Sequence, residues 1–126
     1  MMKEDISTEE DIKALIDMFY EKVKANDVIG YIFNDVAQLD WEVHMPKIYK
    51  FWESILLGKP GFQGDVMGVH VRLNKKERLT ARHFDKWIEL FTSTVNEMFE
   101  GRVASEAINR ASIIRRTMEY NIANAK

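Results

Sequence analysis

Residues 62–91 read FQGDVMGVHVRLNKKERLTARHFDKWIELF, with His70 near the middle of the first half. Val66, Met67, Val69, Val71 and Leu73 make a short apolar segment around the histidine, fenced by Gly61, Gly64 and Gly68. The segment is too short and too broken by glycine to be a main core helix. A polar, basic connection from Asn74 to Arg78 follows. Thr80 then stands where a helix N-cap belongs, ahead of Phe84, Trp87, Ile88, Phe91, Val95, Met98 and Phe99 at helical spacing, and Gly101 closes that helix. A lone imidazole on a short element against an apolar wall suits an axial metal ligand. The same pattern also suits a core or surface histidine that binds nothing.

Upstream, Gly58-Lys59-Pro60-Gly61 is a breaker. Before it, Asp40 to Leu57 reads as a long helix with Trp41, His44, Met45, Ile48, Phe51, Trp52 and Ile55 at steps of three and four. His44 therefore rides the apolar face, where an imidazole needs a partner or a task. Pro46 cannot donate to the carbonyl of Glu42, so the helix is expected to start near Met45 or to kink there. Lys47 falls on the flank of the same face. Earlier still, Ser7-Thr8-Glu9-Glu10 reads as a capping box closed by Ser7 and Glu10. The helix it opens carries Ile12, Leu15, Ile16, Phe19 and Val23 on one stripe, with Tyr20 at the edge. Asn26-Asp27 ends it, a turn with Val28, Ile29, Tyr31, Ile32 and Phe33 follows, and a polar loop runs from Asn34 to Leu39.

Downstream of Gly101 a last helix starts at about Val103. It presents Val103, Ala107, Ile108, Ala111, Ile114 or Ile113, Met118 and Ile122, with Arg110, Arg115 and Arg116 expected on its wet face. Four long helices and no alternating β-branched run make the chain all-α.

Composition narrows the function classes. The 126 residues are 46% hydrophobic, enough for a real core in one domain spanning 1–126. The net charge of -2 gives no global pull toward nucleic acid, and no aromatic residues interleave the Arg110–Arg116 cluster. The absence of cysteine excludes a disulfide framework, a thiolate metal site and a cysteine nucleophile. No signal peptide and no membrane-spanning run is visible, so a cytoplasmic location is expected. No surplus apolar stripe demands a partner, so a monomer is expected.

Among metal and catalytic sites, zinc would need three or four ligands and no pattern such as HExxH occurs. A serine nucleophile elbow and paired Glu-x-x-His motifs are also absent. What remains is one imidazole on one side of a site and polar groups on the other. A porphyrin would supply four further nitrogens, and a lone imidazole is what a haem iron needs on its proximal side. His83, in the first turn of the third long helix, is read as a structural or surface residue.

MFYEKV, YIF, WEVHMPKIYKFW, GFQGDVMGVHVRL and HFDKWIELF, in that order, resemble the group III truncated haemoglobins of bacteria. The resemblance runs from about Ile12 into the last helix. It implies a two-over-two helical sandwich around a b-type haem. By it, His70 is the proximal iron ligand, Tyr20 the distal hydroxyl, His44 the distal histidine, and Trp87 the pocket tryptophan whose indole N–H faces bound ligand. It further implies that Phe33 packs on the porphyrin, that Ile48 lines the distal cavity, and that Phe51 and Trp52 lie along the same face. Met67, Ile88 and Phe91 complete the expected cofactor contacts. Lys47 and Arg72 are the candidates for the propionates.

Three functions compete at this level. One is reversible binding of O2, CO or NO. A second is chemistry at the same haem, either NO dioxygenation or peroxide removal. Turnover of NO would need an external reductase, because no GxGxxG fingerprint or second domain is present. The third is a cofactor-free helical interaction domain, which leaves His44 and His70 unexplained.

Overall fold

The computed structural model describes residues 3–31, 41–59 and 80–124, without the side chains of Trp41, Val43 and 121–124. Within them lie four helices: α1 (Glu9–Ala25), α2 (Trp41–Leu56), α3 (Ala81–Met98) and α4 (Arg102–Asn124). The described residues contain no strand. Helix α1 packs on α2 and on α3, α3 packs on α4, and α2 touches α4. The helices thus form two pairs, α1/α2 and α3/α4, joined chiefly where α1 lies on α3.

The stripe expected on α1 is the buried one: Ile12, Leu15, Ile16 and Val23 expose nothing, and Phe19 is all but enclosed. Its cap is shifted by one residue from Ser7/Glu10. Thr8 is the N-cap, its hydroxyl accepting from the Asp11 amide at 3.1 Å. The Asp11 carboxylate accepts from the amides of Thr8 at 3.1 Å and Ser7 at 2.9 Å. Aspartate at the third helical position is short enough to close the box that Glu10 was expected to close, and Glu9, Glu10 and Asp11 together face the positive end of the helix dipole.

Helix α2 begins at Trp41 and runs through Pro46, so it does not wait for Met45 to start. Pro46 is exposed and costs the helix only the bond to the Glu42 carbonyl. On α4, Ile114 is half-buried while Ile113 is exposed, which settles that alternative. The tight face of α4 is built from Ala104, Ala107 and Ala111, all buried, whose small side chains let the backbone approach its neighbours. Arg115 is not simply wet: it pairs with Asp85 of α3 and with Glu119 at 2.6 Å, tying α3 to α4. Lys22 and Glu97, 2.7 Å apart, tie α1 to α3.

The turn between α3 and α4 is held by the N-terminal segment, a feature the periodicity of the chain does not announce. Ile6 is buried in the core. Asp5 beside it lends its carboxylate to α4, accepting from the amides of Val103 at 3.0 Å and Ala104 at 2.8 Å. Gly101, at φ 144°, is where the chain passes this carboxylate, and a Cβ there would lie 2.5 Å from Asp5 Cγ. Only glycine meets both demands. The one fully buried polar side chain among the described residues, Thr94, donates its hydroxyl to the Leu90 carbonyl at 2.6 Å.

Candidate functional site

Phe19 and Tyr20 are neighbours on α1, about 100° apart around the axis, so one ring goes into the core while the next turns toward α2. The Phe19 ring meets Phe91 edge-on at 5.2 Å and Trp87 edge-on at 5.9 Å, both on α3. The Tyr20 ring meets His44 of α2 edge-on at 6.3 Å. Phe19 thus touches the phenol of Tyr20 on one side and the indole of Trp87 on the other, and Tyr20 in turn meets the imidazole of His44, so three helices contribute to one aromatic chain. Tyr20, His44 and Trp87 each keep part of their surface exposed, whereas Phe19 keeps essentially none.

Behind them the packing is aromatic. Trp52 lies nearly parallel to Phe91 with centroids 4.9 Å apart, and Trp87 is nearly parallel to Phe91 at 6.0 Å. Phe51 touches Trp52 edge-on at 5.6 Å. Offset-stacked and edge-on contacts of this kind contribute roughly 0.5–1.5 kcal/mol each beyond simple burial. Phe91 packs along the ring face of Trp87 and Phe19 meets it edge-on, which restrains the indole ring.

Burial raises the pKa of the Tyr20 hydroxyl above its ordinary value, because the phenolate would lose its hydration. The phenol stays protonated across the physiological range. Tyr49, on the opposite flank of α2, is a different case. Burial, then its bond to the Asp17 carboxylate and that charge, push it up to about 12. It fastens α2 to α1 and has no part in the site.

Of the residues expected at the site, Tyr20, His44, Trp87, Ile48, Phe51 and Ile88 are half-buried and lie on the inward sides of α1, α2 and α3. Phe91 and Trp52 are buried, the first completely. Lys47 is exposed beside His44. Phe33, Met67, His70 and Arg72 lie outside the described residues, as does the glycine-rich segment as a whole. His83, expected to be a structural or surface residue, occupies the third position of α3, where Nδ1 accepts from the Thr80 amide at 3.0 Å. The hydroxyl of Tyr31 at 3.2 Å from Nε2 was not foreseen. The signal for the first bond was present in Thr80-Ala81-Arg82-His83, a capping-box spacing with histidine in the place of the usual acid.

Four helices in this arrangement, with facing polar side chains on α1, α2 and α3, are a truncated-globin fold. No protein-family model matches the chain. A group 3 truncated hemoglobin, Ctb, of Campylobacter jejuni is 29% identical to it over 116 residues, covering 90% of this chain and 89% of that protein. The crystal structure of a group III truncated hemoglobin from Campylobacter jejuni superimposes with a TM-score of 0.83 at 26% identity, covering 99% of this chain and 98% of that one. The chain has the truncated-globin fold, and its resemblance to the group III truncated haemoglobins holds in both sequence and fold.

Proposed function

We propose that the protein is a b-type haem protein that binds diatomic gases, O2 with CO and NO, reversibly at an iron held by His70. The observation that carries this reading is the approach of Tyr20 on α1 to His44 on α2, beside Phe19, whose ring also meets Trp87 on α3. The described residues fit the cofactor's needs. A porphyrin requires a flat apolar slot, and Ile48, Phe51 and Ile88 offer half-buried apolar surface with Trp52 and Phe91 packed behind it. Its propionates require cations at the mouth, and Lys47 is exposed on the flank. Arg72 is the second candidate cation, and Phe33 and Met67 are the remaining apolar contacts proposed from the resemblance.

The bound haem supplies an iron that shares electron density with a diatomic ligand. The chain's own residues do the rest. Tyr20 keeps its proton and directs its O–H toward the site. Trp87, whose ring rests on Phe91, directs an indole N–H. His44 presents an imidazole edge beside Tyr20. Donors of this kind stabilise partial negative charge on a ligand by roughly 1.5–3 kcal/mol each, and more so where water is kept out. The aromatic packing behind them excludes water. No described helix is long and apolar enough to cross a membrane.

The absorption spectrum of the reduced, gas-free protein tests the reading. A haem spectrum with one axial imidazole is expected, and His70→Ala is expected to lose tight haem retention. A chain that stays colourless when expressed with haem supplied, or a His70→Ala variant that holds haem as the parent does, refutes it.

A further inference from the structure

Tyr31 and His83 stand far apart in sequence, yet the Tyr31 hydroxyl lies 3.2 Å from His83 Nε2. The other ring nitrogen, Nδ1, is 3.0 Å from the Thr80 amide. An amide can only donate, so Nδ1 is the acceptor. In the neutral ring the proton then sits on Nε2 and is donated to the Tyr31 oxygen. One imidazole thus joins the N-cap of α3 to the turn that follows α1. That turn is closed tightly. Asn26 Oδ1 accepts from the amides of Val28 at 2.8 Å and Ile29 at 3.3 Å, and the Gly30 amide donates to the Asn26 carbonyl at 2.8 Å. A Cβ on Gly30 would come within 2.8 Å of the Lys24 carbonyl, so this position takes no side chain and Tyr31 is presented from a fixed backbone.

We propose that His83 and Tyr31 form a latch that positions Trp87, one helical turn beyond His83 on the same side of α3. The proposal rests on the reading of Trp87 as a donor to bound ligand. The first turn of a helix carries amides without partners inside the helix and frays readily. In α3 that turn is the one directly before the turn that carries Trp87, so the Trp87 backbone is built on it. His83 ties it at two points, the Thr80 amide and the end of the α1 segment. Phe91 and Phe19 restrain the indole ring by packing, and the latch restrains the helix beneath it. A hydrogen bond loses strength steeply as its angle opens, so a small drift of this turn weakens the donor. His83 and Tyr31 are positioning residues. Neither is placed against the ligand.

The test uses the haem-loaded protein and the variants Tyr31→Phe, His83→Gln, the double variant and Trp87→Phe. Glutamine at the third helical position keeps an acceptor for the N-cap amide but gives up the imidazole link. Three quantities are read: amide hydrogen exchange over Thr80–Phe84, the indole N–H resonance of Trp87, and the rate of O2 dissociation. Tyr31→Phe is expected to speed exchange in that turn about threefold to tenfold, the loss of one neutral hydrogen bond. It is also expected to shift the Trp87 indole resonance while those of Trp41 and Trp52 stay put, and to quicken O2 loss. His83→Gln is expected to match it, and the double variant to add nothing further. Unchanged exchange and an unmoved indole resonance in Tyr31→Phe overturn the latch, and so does a double variant whose effects sum. An O2 rate unchanged in Trp87→Phe sinks the donor reading of Trp87 instead, and exchange and the indole resonance still decide whether the latch exists.

Discussion

Replacing Asp5 with alanine removes the carboxylate that begins α4 from outside that helix. Three amides donate to it: Val103 at 3.0 Å, Ala104 at 2.8 Å and Ile6 at 2.8 Å. Two of these are first-turn amides of α4, which have no acceptor within the helix. Loss of a capping side chain costs about 0.5–2 kcal/mol, and the ionised acceptor argues for the upper half of that range. Asp5 is only half-buried, so solvent takes back part of the gain, and about 2 kcal/mol is the expected ceiling. For a chain of this length that is a fall in melting temperature of about 8 °C at neutral pH. The pH dependence follows from the sign of the shift. Burial acts to raise the Asp5 pKa, but the bonds from Val103, Ala104 and Ile6 and the nearby Arg102 charge outweigh it and hold the group below the ordinary carboxylate value. A carboxyl lowered in the folded state contributes stability that is fully present above the unfolded value of about 3.9 and is lost as pH falls through the lower folded value. The gap between parent and Asp5→Ala is therefore expected to be full at pH 7 and pH 5 and to close below about pH 4. Thermal melts followed by helix ellipticity across that range measure it. A variant melting within about 1 °C of the parent at pH 7 refutes the assignment of Asp5 as the cap. A gap that stays constant from pH 7 into the acid range does the same.

Tyr20→Phe is expected to raise the O2 dissociation rate about 10- to 100-fold, the loss of one donor to a charged ligand, with flash photolysis or rapid mixing as the assay. An unchanged rate removes Tyr20 from the site. Phe91→Ala, which empties a fully buried position touching Phe19, Trp52 and Trp87, is expected to lower stability by about 3–5 kcal/mol in urea titrations. A loss under about 1 kcal/mol would show that the aromatic stack does not support the core. Gly101→Ala puts a Cβ against the Asp5 carboxylate at a φ of 144° and is expected to destabilise by about 1–3 kcal/mol. Combined with Asp5→Ala the cost should shrink but not vanish, because the contacts with Cγ and Oδ2 go while that with the Asp5 Cβ at 2.8 Å and the positive φ stay, and simple additivity in melts would count against the carboxylate contact.

Periodicity marks the helices and the buried stripes of α1 and α3. Ile12, Leu15, Ile16, Phe19 and Val23 announce the inner side of α1, and Phe84, Phe91 and Val95 that of α3, because burial repeats every three or four residues and nothing else in the chain does. The same rule placed His44 inward and put Tyr20 at a stripe's edge. Contacts between residues distant in sequence leave no such trace. Asp5 capping a helix that begins near residue 102, Gly101 passing that carboxylate, Arg115 bridging to Asp85, and Tyr31 reaching His83 depend on where the two helix pairs come to rest. A polar side chain near a turn shows its type but not its partner, since its neighbours along the chain do not say which remote backbone will arrive. The choice between Ile113 and Ile114, and between Ser7 and Thr8 as cap, fell to differences of one residue that only packing and local hydrogen bonds resolve. The chain therefore carries its helices in plain order, and the approach of Tyr20 to His44 and of Phe19 to Trp87 arises from the crossing of helices that no short segment encodes.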